Sequence, residues 1–424
     1  ETVTGAASAS SPTVHDRADA IESTARRHHF AGLESIRALA ATMVVVHHVA
    51  SVSGPRAGLL RTPAAVMDAG VAVFFVLSGF LIFRPHAVAL IAGRPGQRAA
   101  AFWWRRILRI VPAYWVALTV LWAMGNFDLG DKWWRHYLFL QPFDRYTALA
   151  GLVPAWSLST ELCFYLLVPP FAAAVRWLVA SRGAAGTGER QRALTVAAAV
   201  AVLGLLGPVA RATAPTWAGE NRALSFQWLP TNLDLFAAGM LLAVLSAWAA
   251  SNPGPRARID AVARPAWIWW GGAVTVFLLY AYLVGGVDFA VGHQGWSWQR
   301  RQVSFTACAV LLLVPAVFGP QDEGLLRRAR TWRPLVWVGT VSYGLYLWHV
   351  GVLERLVDQP PDPFTGAGGW DGWLPDRFDP PHVVLLLVIT MAGALAVAAV
   401  SWYLLERPLQ RFKGLLDSVA GRGR

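Results

Sequence analysis

The chain has 424 residues, of which 55% are hydrophobic and 15% are charged, and its mean hydropathy is +0.43. A soluble globular protein of this size is far less apolar, so the composition excludes that class and predicts an all-α polytopic membrane protein. The net charge of +12 comes from basic residues spread along the chain rather than gathered in one arm, which argues against nucleic acid as a partner.

Residues 1–30 are rich in Ala, Ser and Thr and lack a long apolar run, so we expect a flexible cytoplasmic tail there. Hydropathy predicts about ten transmembrane helices within residues 31–412, followed by a short cytoplasmic tail over 413–424. A short interfacial helix is expected near Trp133, and an irregular outward-facing rim over 359–381. The predicted spans are 33–52, 64–83, 107–124, 155–178, 193–211, 229–249, 266–285, 302–319, 334–356 and 382–405.

The distribution of Lys and Arg between the predicted loops indicates the orientation of the chain. Loops on the side of the N terminus hold 24 of the 37 basic residues, and loops on the other side hold 10. Cytoplasmic loops carry the excess of Lys and Arg in multi-pass proteins, so both termini are predicted to be cytoplasmic. The expected location is a bacterial cytoplasmic membrane.

The first predicted helix carries two ionisable residues inside the membrane. Arg37 and His48 are eleven residues apart, which is about three helical turns and roughly 16 Å, so both project from one face at different depths. A charge at such a depth costs about 3 kcal/mol or more and usually serves a substrate or a proton path. The alternative is an arginine that reaches the headgroups and a hydrogen-bonded core histidine. The register of the pair favours function.

Three more ionisable residues are predicted at the depth of His48, in the outer third of the membrane. They are Glu161, Asp234 and His349, each on a different span. Because charges at that depth need partners, the four side chains are expected to be one another's partners. Wetting from the outer interface is the alternative, and for Asp234 it is equally strong.

A basic group is predicted at the cytoplasmic face. Arg105, Arg106 and Arg109 fall in the first turn of the third span, where Arg37 joins them. Guanidinium groups bind phosphates through paired N–H donors, so the group is suited to a phosphorylated cytoplasmic ligand. Anchoring on anionic lipid is the alternative, and charge alone favours it. The basic group would suit a donor that enters from the cytoplasm, and the deep ionisable residues would suit an acceptor that arrives from the other face.

Six motifs in this order resemble the membrane acyltransferase-3 family, and together they cover nearly the whole transmembrane region. No single motif is specific, but their order is. They are the pair Arg37 and His48, FFVLSGFLI (74–82), RRILRIVPAY (105–114), WSLSTELCFY (156–165), SYGLYLWH (342–349) and LLERP (404–408).

The resemblance implies an O-acyltransferase domain over 31–412. Such a protein takes an acyl group, acetyl being favoured, from cytoplasmic acyl-CoA and places it on a hydroxyl of an envelope or exported glycan, a glycolipid or a hydroxylated natural product. Matched by position, His48 is the family's essential histidine, Arg37 its paired arginine, Glu161 the glutamate after the WSL motif, and Arg105, Arg106 and Arg109 the basic motif. No metal is expected.

The mechanism expected on this basis uses His48 as general base toward the acceptor hydroxyl, with Glu161 orienting it. The four arginines and Ser78 would bind the donor, while Tyr346, His349 and Asp234 would contact the acceptor. A covalent acyl-histidine is an alternative route.

Some family members append an extracellular esterase-like domain, and the end of this chain at residue 424 leads us to expect no such relay here. A proton-coupled exporter or flippase of a glycan or lipid is the competing function, since it too would use intramembrane Arg, His, Glu and Asp.

Overall fold

The computed structural model describes residues 31–53, 61–148, 150–181, 188–285, 295–319, 332–357 and 380–415. The regular elements in these ranges are helices, in agreement with the all-α prediction. The predicted tail 1–30, residues 416–424 of the C-terminal tail and nearly all of the loop 359–381 lie outside the described residues.

The helices are numbered here in chain order. They are α1 (Ala31–Ser53), α2 (Arg61–Ala65), α3 (Ala69–Ile91), α4 (Ala99–Ala123), α5 (Trp133–Tyr137), α6 (Trp156–Ser181), α7 (Glu189–Trp217), α8 (Leu229–Ala250), α9 (Pro253–Ala263), α10 (Ala266–Tyr280), α11 (Gly295–Phe318), α12 (Arg333–Thr340), α13 (Ser342–Leu356), α14 (Pro380–Ser401) and α15 (Arg407–Leu409). A π-helical turn, Trp402–Glu406, joins α14 to α15.

Within the described ranges, nine helices are long and apolar enough to cross a membrane, and α12 with α13 makes a tenth crossing if the bent pair counts as one. The prediction of a polytopic helical membrane protein with about ten spans is thereby confirmed. Helices are required because a segment in lipid must satisfy its own backbone hydrogen bonds. The cytoplasmic placement of the termini stays a prediction.

Several helices extend beyond the ends that hydropathy predicts, and two of these extensions, in α4 and α7, change the site. Helix α4 begins at Ala99 rather than 107, so its arginines lie in the second and third turns and not in the first. Helix α7 continues to Trp217 rather than ending at 211, which places Arg211 inside the bundle instead of in a loop. Hydropathy ends a span at a charged residue, but backbone hydrogen bonding continues wherever that charge has a partner or faces a cavity.

The predicted span 334–356 is not a continuous helix. Its two parts, α12 and α13, meet at an angle of 73° next to Val341. Helix α12 crosses α1 so closely that a Cβ on Gly339 would clash with the carbonyl group of Glu34. Helix α13 packs in a second apolar cluster with α1 and α14. The bend therefore aims the start of α13 at the centre of the bundle.

The scaffold is organised around the crossing of α3 and α8. A Cβ on Gly79 of α3 would meet the carbonyl oxygen of Phe236, and a Cβ on Gly239 of α8 would meet that of Val76. Small residues let the two backbones touch, which is how helices associate in lipid without a hydrophobic driving force. Phe236 also stacks on Phe75 and Phe164, so α6 joins the same contact.

Substitution of Gly239 by alanine is expected to destabilise the protein by about 1–3 kcal/mol, because the added methyl group separates α3 from α8. Gly271→Ala in α10 is the matched control, since a Cβ there meets nothing within 4 Å. Thermal unfolding of the purified protein in detergent measures the difference. Equal melting temperatures for the two variants would show that the crossing does not depend on this contact.

The segment between α4 and α6 contains the predicted short helix, α5, and two polar residues in unusual surroundings. Burial of Asp144 acts to raise its pKa, but hydrogen bonds from Lys132 and the backbone of Tyr146, with Arg135 nearby, hold that pKa below its ordinary value. His136 is 1% exposed, and neither ring nitrogen has a hydrogen-bond partner among the described residues. Burial lowers the pKa of His136 from 6.5 to about 4.

This burial predicts an acid-sensitive fold. The folded state resists protonation of His136 while the unfolded state accepts a proton, so the contribution of His136 to stability is full above pH 6.5 and falls as the pH is lowered toward 4. In His136→Leu, the melting temperature is expected to fall less than in the wild type as the pH is lowered from 6.5 toward 4. His382→Leu, which alters an exposed histidine, should keep the wild-type profile. An unchanged slope in His136→Leu would contradict the assignment.

Candidate active site

A cavity lies inside the bundle between α1, α3, α4, α6 and α13. We name it the arginine cavity, after the three arginines in its lining. Its polar lining residues are Arg37, Ser78, Arg106, Arg109, Ser157, Glu161, Tyr165, Ser342, Tyr343 and Tyr346. Six of the predicted site residues therefore line one cavity, although they come from five helices.

The cationic part of the cavity joins α1 and α4. Arg37 lies 3.7 Å from a carboxylate oxygen of Glu34, and the guanidinium of Arg106 lies over the rings of Phe102 and Tyr165. The Nε groups of Arg37 and Arg106 are buried and have no hydrogen-bond partner among the described residues. Buried N–H donors without an acceptor are costly, so this arrangement favours an anionic ligand.

Arg105 occupies a different position from its two neighbours. Its Nη2 donates to the side-chain oxygen of Gln97 at 2.6 Å, and Arg105 is not in the lining of the arginine cavity. Arg109 is one helical turn from both of its neighbours, four positions from Arg105 and three from Arg106, so the helical repeat alone does not separate them. The structure thus separates the basic motif into two residues at the cavity and one beside it.

Glu161 is held on the opposite wall by two hydroxyl groups. Its Oε1 accepts hydrogen bonds from Ser78 at 2.5 Å and from Tyr165 at 2.6 Å. Tyr165 is four residues further along α6, which puts both side chains on one face of that helix. The carboxylate also attracts Arg37 and Arg106 across the cavity. Glu161 therefore faces the arginines, and no contact between it and His48 is found in the described structure.

The partner of His48 is His349. Nε2 of His349 lies 3.2 Å from Nδ1 of His48, and the rings meet edge to face at 4.9 Å. His349 is fully buried, whereas His48 is half-buried. The sequence placed the two at one depth, and the structure brings them together.

The hydrogen bonds of the pair assign its tautomers when both rings are neutral. Nδ1 of His349 faces the carbonyl oxygens of Tyr346 and Leu345, so it carries the proton and Nε2 is an acceptor. Nδ1 of His48 faces that acceptor and the carbonyl oxygen of Val44 at 2.9 Å, so it is also protonated. The lone pair of His48 is therefore on Nε2, which is the arrangement a general base requires.

Tyr346 connects the cavity to the histidines. Its hydroxyl bonds with Ser157 and donates to the carbonyl oxygen of Pro154, each at 2.8 Å, and its ring lies 5.9 Å from that of His349. Tyr346 belongs to the cavity lining, whereas the two histidines lie behind it.

Asp234 is not part of this group. Arg211 of α7 donates two hydrogen bonds to its carboxylate, both at 2.9 Å, and the Arg211 side chain is 1% exposed. The expectation that Asp234 pairs with the other deep ionisable residues was wrong, because α7 continues past Arg211 and holds its guanidinium beside Asp234. Hydropathy did not predict that α7 continues to Trp217, which is the feature that keeps Arg211 within the helix.

Comparison with known proteins identifies the family of this chain. The profile of a family described as an acyltransferase domain, the acyltransferase-3 family, matches residues 30–400. The chain belongs to this family. No solved structure matches the chain significantly.

The chain is similar to several bacterial relatives in this family. It is 23% identical to the peptidoglycan O-acetyltransferase OatA of Listeria monocytogenes, covering 92% of this chain and 58% of the relative. It is 25% identical to Nodulation protein 10 of Rhizobium leguminosarum, covering 81% and 82%. It is 23% identical to the O-acetyltransferase OatA of Staphylococcus aureus, covering 90% and 57%. The chain thus spans somewhat more than half the length of the OatA proteins.

The family motifs meet in three dimensions around the arginine cavity. The FFVLSGFLI motif supplies Ser78, the RRILRIVPAY motif supplies Arg106 and Arg109, and the WSLSTELCFY and SYGLYLWH motifs supply Glu161 and Tyr346. The terminal LLERP motif places Glu406 in a buried position, where it bonds with Ser401 at 3.1 Å.

Proposed function

We propose that this protein is a membrane O-acetyltransferase that moves an acetyl group from acetyl-CoA to a hydroxyl group of an envelope glycan. The observation that carries the proposal is the arginine cavity, where three arginines line a space inside a helical bundle and the Nε groups of two of them have no hydrogen-bond partner among the described residues. The names of the relatives support acetyl transfer to a glycan. With both termini cytoplasmic, as the basic residues predict, Arg37 lies near the cytoplasmic end of α1.

In this proposal Arg37, Arg106 and Arg109 bind the phosphate groups of the donor. Guanidinium groups form paired hydrogen bonds with phosphate oxygens, and removal from water strengthens them. The carboxylate of Glu161 limits the positive charge on the opposite wall and fixes the hydroxyl groups of Ser78 and Tyr165. The thioester would then extend along the cavity toward Tyr346.

His48 acts as the general base. Its Nε2 accepts the proton of the acceptor hydroxyl as that oxygen attacks the thioester carbonyl carbon. The C–S bond breaks when the tetrahedral intermediate collapses, and the coenzyme leaves as the thiolate, which takes up the proton from His48. His349 holds His48 in the required tautomer, as the third group of a catalytic triad holds its histidine.

Loss of the base is expected to stop the reaction without unfolding the protein. His48→Ala should lower the rate of acetyl transfer by about a hundredfold or more, because general bases contribute rate factors of that order. Mass spectrometry of O-acetyl groups on envelope glycans from cells expressing each variant measures the effect, and unfolding in detergent confirms the fold. His47→Ala is the neighbouring control and should retain transfer. Substantial acetylation by His48→Ala would refute the role.

The donor site predicts a specific affinity for coenzyme A. Arg106→Gln and Arg109→Gln should each weaken the binding of coenzyme A by about tenfold or more, because a charge-assisted hydrogen bond is worth about 1.5–3 kcal/mol. Arg256→Gln is the control, since Arg256 lies in the short helix after α8 and pairs with Asp260 at 2.8 Å. Calorimetric titration of the purified protein gives the constants. An exporter would ignore coenzyme A, so no binding by the wild-type protein would overturn the proposed function.

A further inference from the structure

A second cavity lies at the end of the bundle where α3, α6, α8 and α11 begin. Asp68 directly precedes α3, Trp156 is the first residue of α6, and Asn232 and Trp298 lie in the first turns of α8 and α11. Helices α1 and α3 are consecutive membrane-spanning helices and run in opposite directions. This end is therefore opposite to the start of α1, where Arg37 lies. We name it the aromatic cavity, after the rings described next.

The walls of the aromatic cavity combine rings with amide groups. Trp156 meets Phe75 and Phe226 edge to face, with ring centroids 6.1 and 5.6 Å apart. Trp298 adds a fourth ring to the lining. Flat apolar rings pack against the C–H faces of pyranose sugars, and an apolar pocket with a few fixed polar groups is the usual form of a small-ligand site.

The amide groups of this cavity are held in place by the protein. Asn232 donates to the carbonyl oxygens of Phe226 and Trp228 at 2.8 and 2.9 Å, and Gln302 donates to Asn232 at 3.3 Å. Both side chains are buried to more than nine tenths. Fixed amides beside aromatic rings are suited to the hydroxyl or acetamido groups of a sugar.

The lining of the aromatic cavity offers no net positive charge to an anion. Arg301 and Asp68 are the charged residues among the described residues of its lining, and they are bonded to each other. The guanidinium of Arg301 also lies over the ring of Phe305 at 4.5 Å. The cavity is therefore neutral overall, in contrast to the arginine cavity with its three cations.

The two cavities share one wall. Val71 and Phe75 of α3 line both of them, so the cavities lie on two sides of the same helix segment. The same end of α3 packs on α1, since a Cβ on Gly70 would meet Ala40 and Val44. Val44 is one turn from His48 and accepts its hydrogen bond. The proposed base thus lies near the end of the bundle that holds the aromatic cavity.

We infer that the aromatic cavity binds a neutral pyranose unit of the acceptor glycan, with Trp156 and Trp298 against the ring and Gln302 as a hydrogen-bonding residue. The inference rests on the proposed function and assigns its acceptor a place separate from the donor. It favours an uncharged sugar over a phosphorylated one.

Two variants test the inference in the full chain, purified in detergent. Gln302→Leu removes the amide at nearly constant size, and Ala72→Phe fills the cavity from a residue that does not line the arginine cavity. Thr306→Val is the control one turn along α11, where the hydroxyl donates to the carbonyl oxygen of Gln302 within the same helix. Chitotetraose, glucose and glucose 6-phosphate are the probes. Calorimetric titration measures the binding of each probe, and coenzyme A is titrated in parallel.

The expected result is saturable binding of chitotetraose by the wild-type protein and by Thr306→Val, weakened at least about tenfold in Gln302→Leu and Ala72→Phe, with the coenzyme A affinity unchanged. If Ala72→Phe does not fold, Gln302→Leu decides. The inference is overturned if wild type does not bind chitotetraose, if the folded variants bind it as wild type does, or if glucose 6-phosphate binds more tightly than glucose. Failure to bind coenzyme A overturns the proposed function instead, whatever the glycans do.

Discussion

The cost of placing a charge inside a lipid-embedded bundle governs the arrangement of this protein. Each deep ionisable residue must have a partner or face a cavity, because lipid offers neither water nor counterions. Asp234 meets this requirement with Arg211, and His48 meets it with His349. Arg37 and Arg106 meet it by lining a cavity, and each keeps a buried Nε donor that has no partner in the described part of the chain. The same cost thus distinguishes a buried ion pair from arginines that line a cavity.

Close helix packing creates the space in which these groups meet. Backbone contact at Gly79 and Gly239 joins α3 to α8, and Val71 and Phe75, two turns and one turn before Gly79 on α3, line both cavities. The break between α12 and α13 brings the start of α13 inward, where the hydroxyl of Tyr343 donates to the carbonyl oxygen of Ile110 at 2.7 Å. A continuous helix would carry Tyr346 and His349 in a different direction. The glycine contacts and the bend are therefore part of the site.

The two cavities differ in the charge of their linings. Three arginines and one carboxylate surround the first, whereas the second carries a neutralised pair among rings and amides. A phosphorylated donor and an uncharged acceptor would sort between them by charge alone. The segment of α3 from Val71 to Phe75 separates the two, and Gly70, directly before it, packs on the helix that bears His48.

The sequence by itself determined the fold class, the approximate number of spans and the membership of most site residues, because hydropathy and helical register are local properties. Arg37, Arg106, Glu161 and Ser78 could be named from motifs before any contact was known. The sequence did not determine which deep residues pair, because depth along a helix says nothing about rotation around it. Only the tertiary structure decided that His349 rather than Glu161 contacts His48, and that Arg105 lies beside the cavity. It also decided that Asp234 belongs to Arg211, since helix ends and crossing angles depend on packing between segments far apart in the chain.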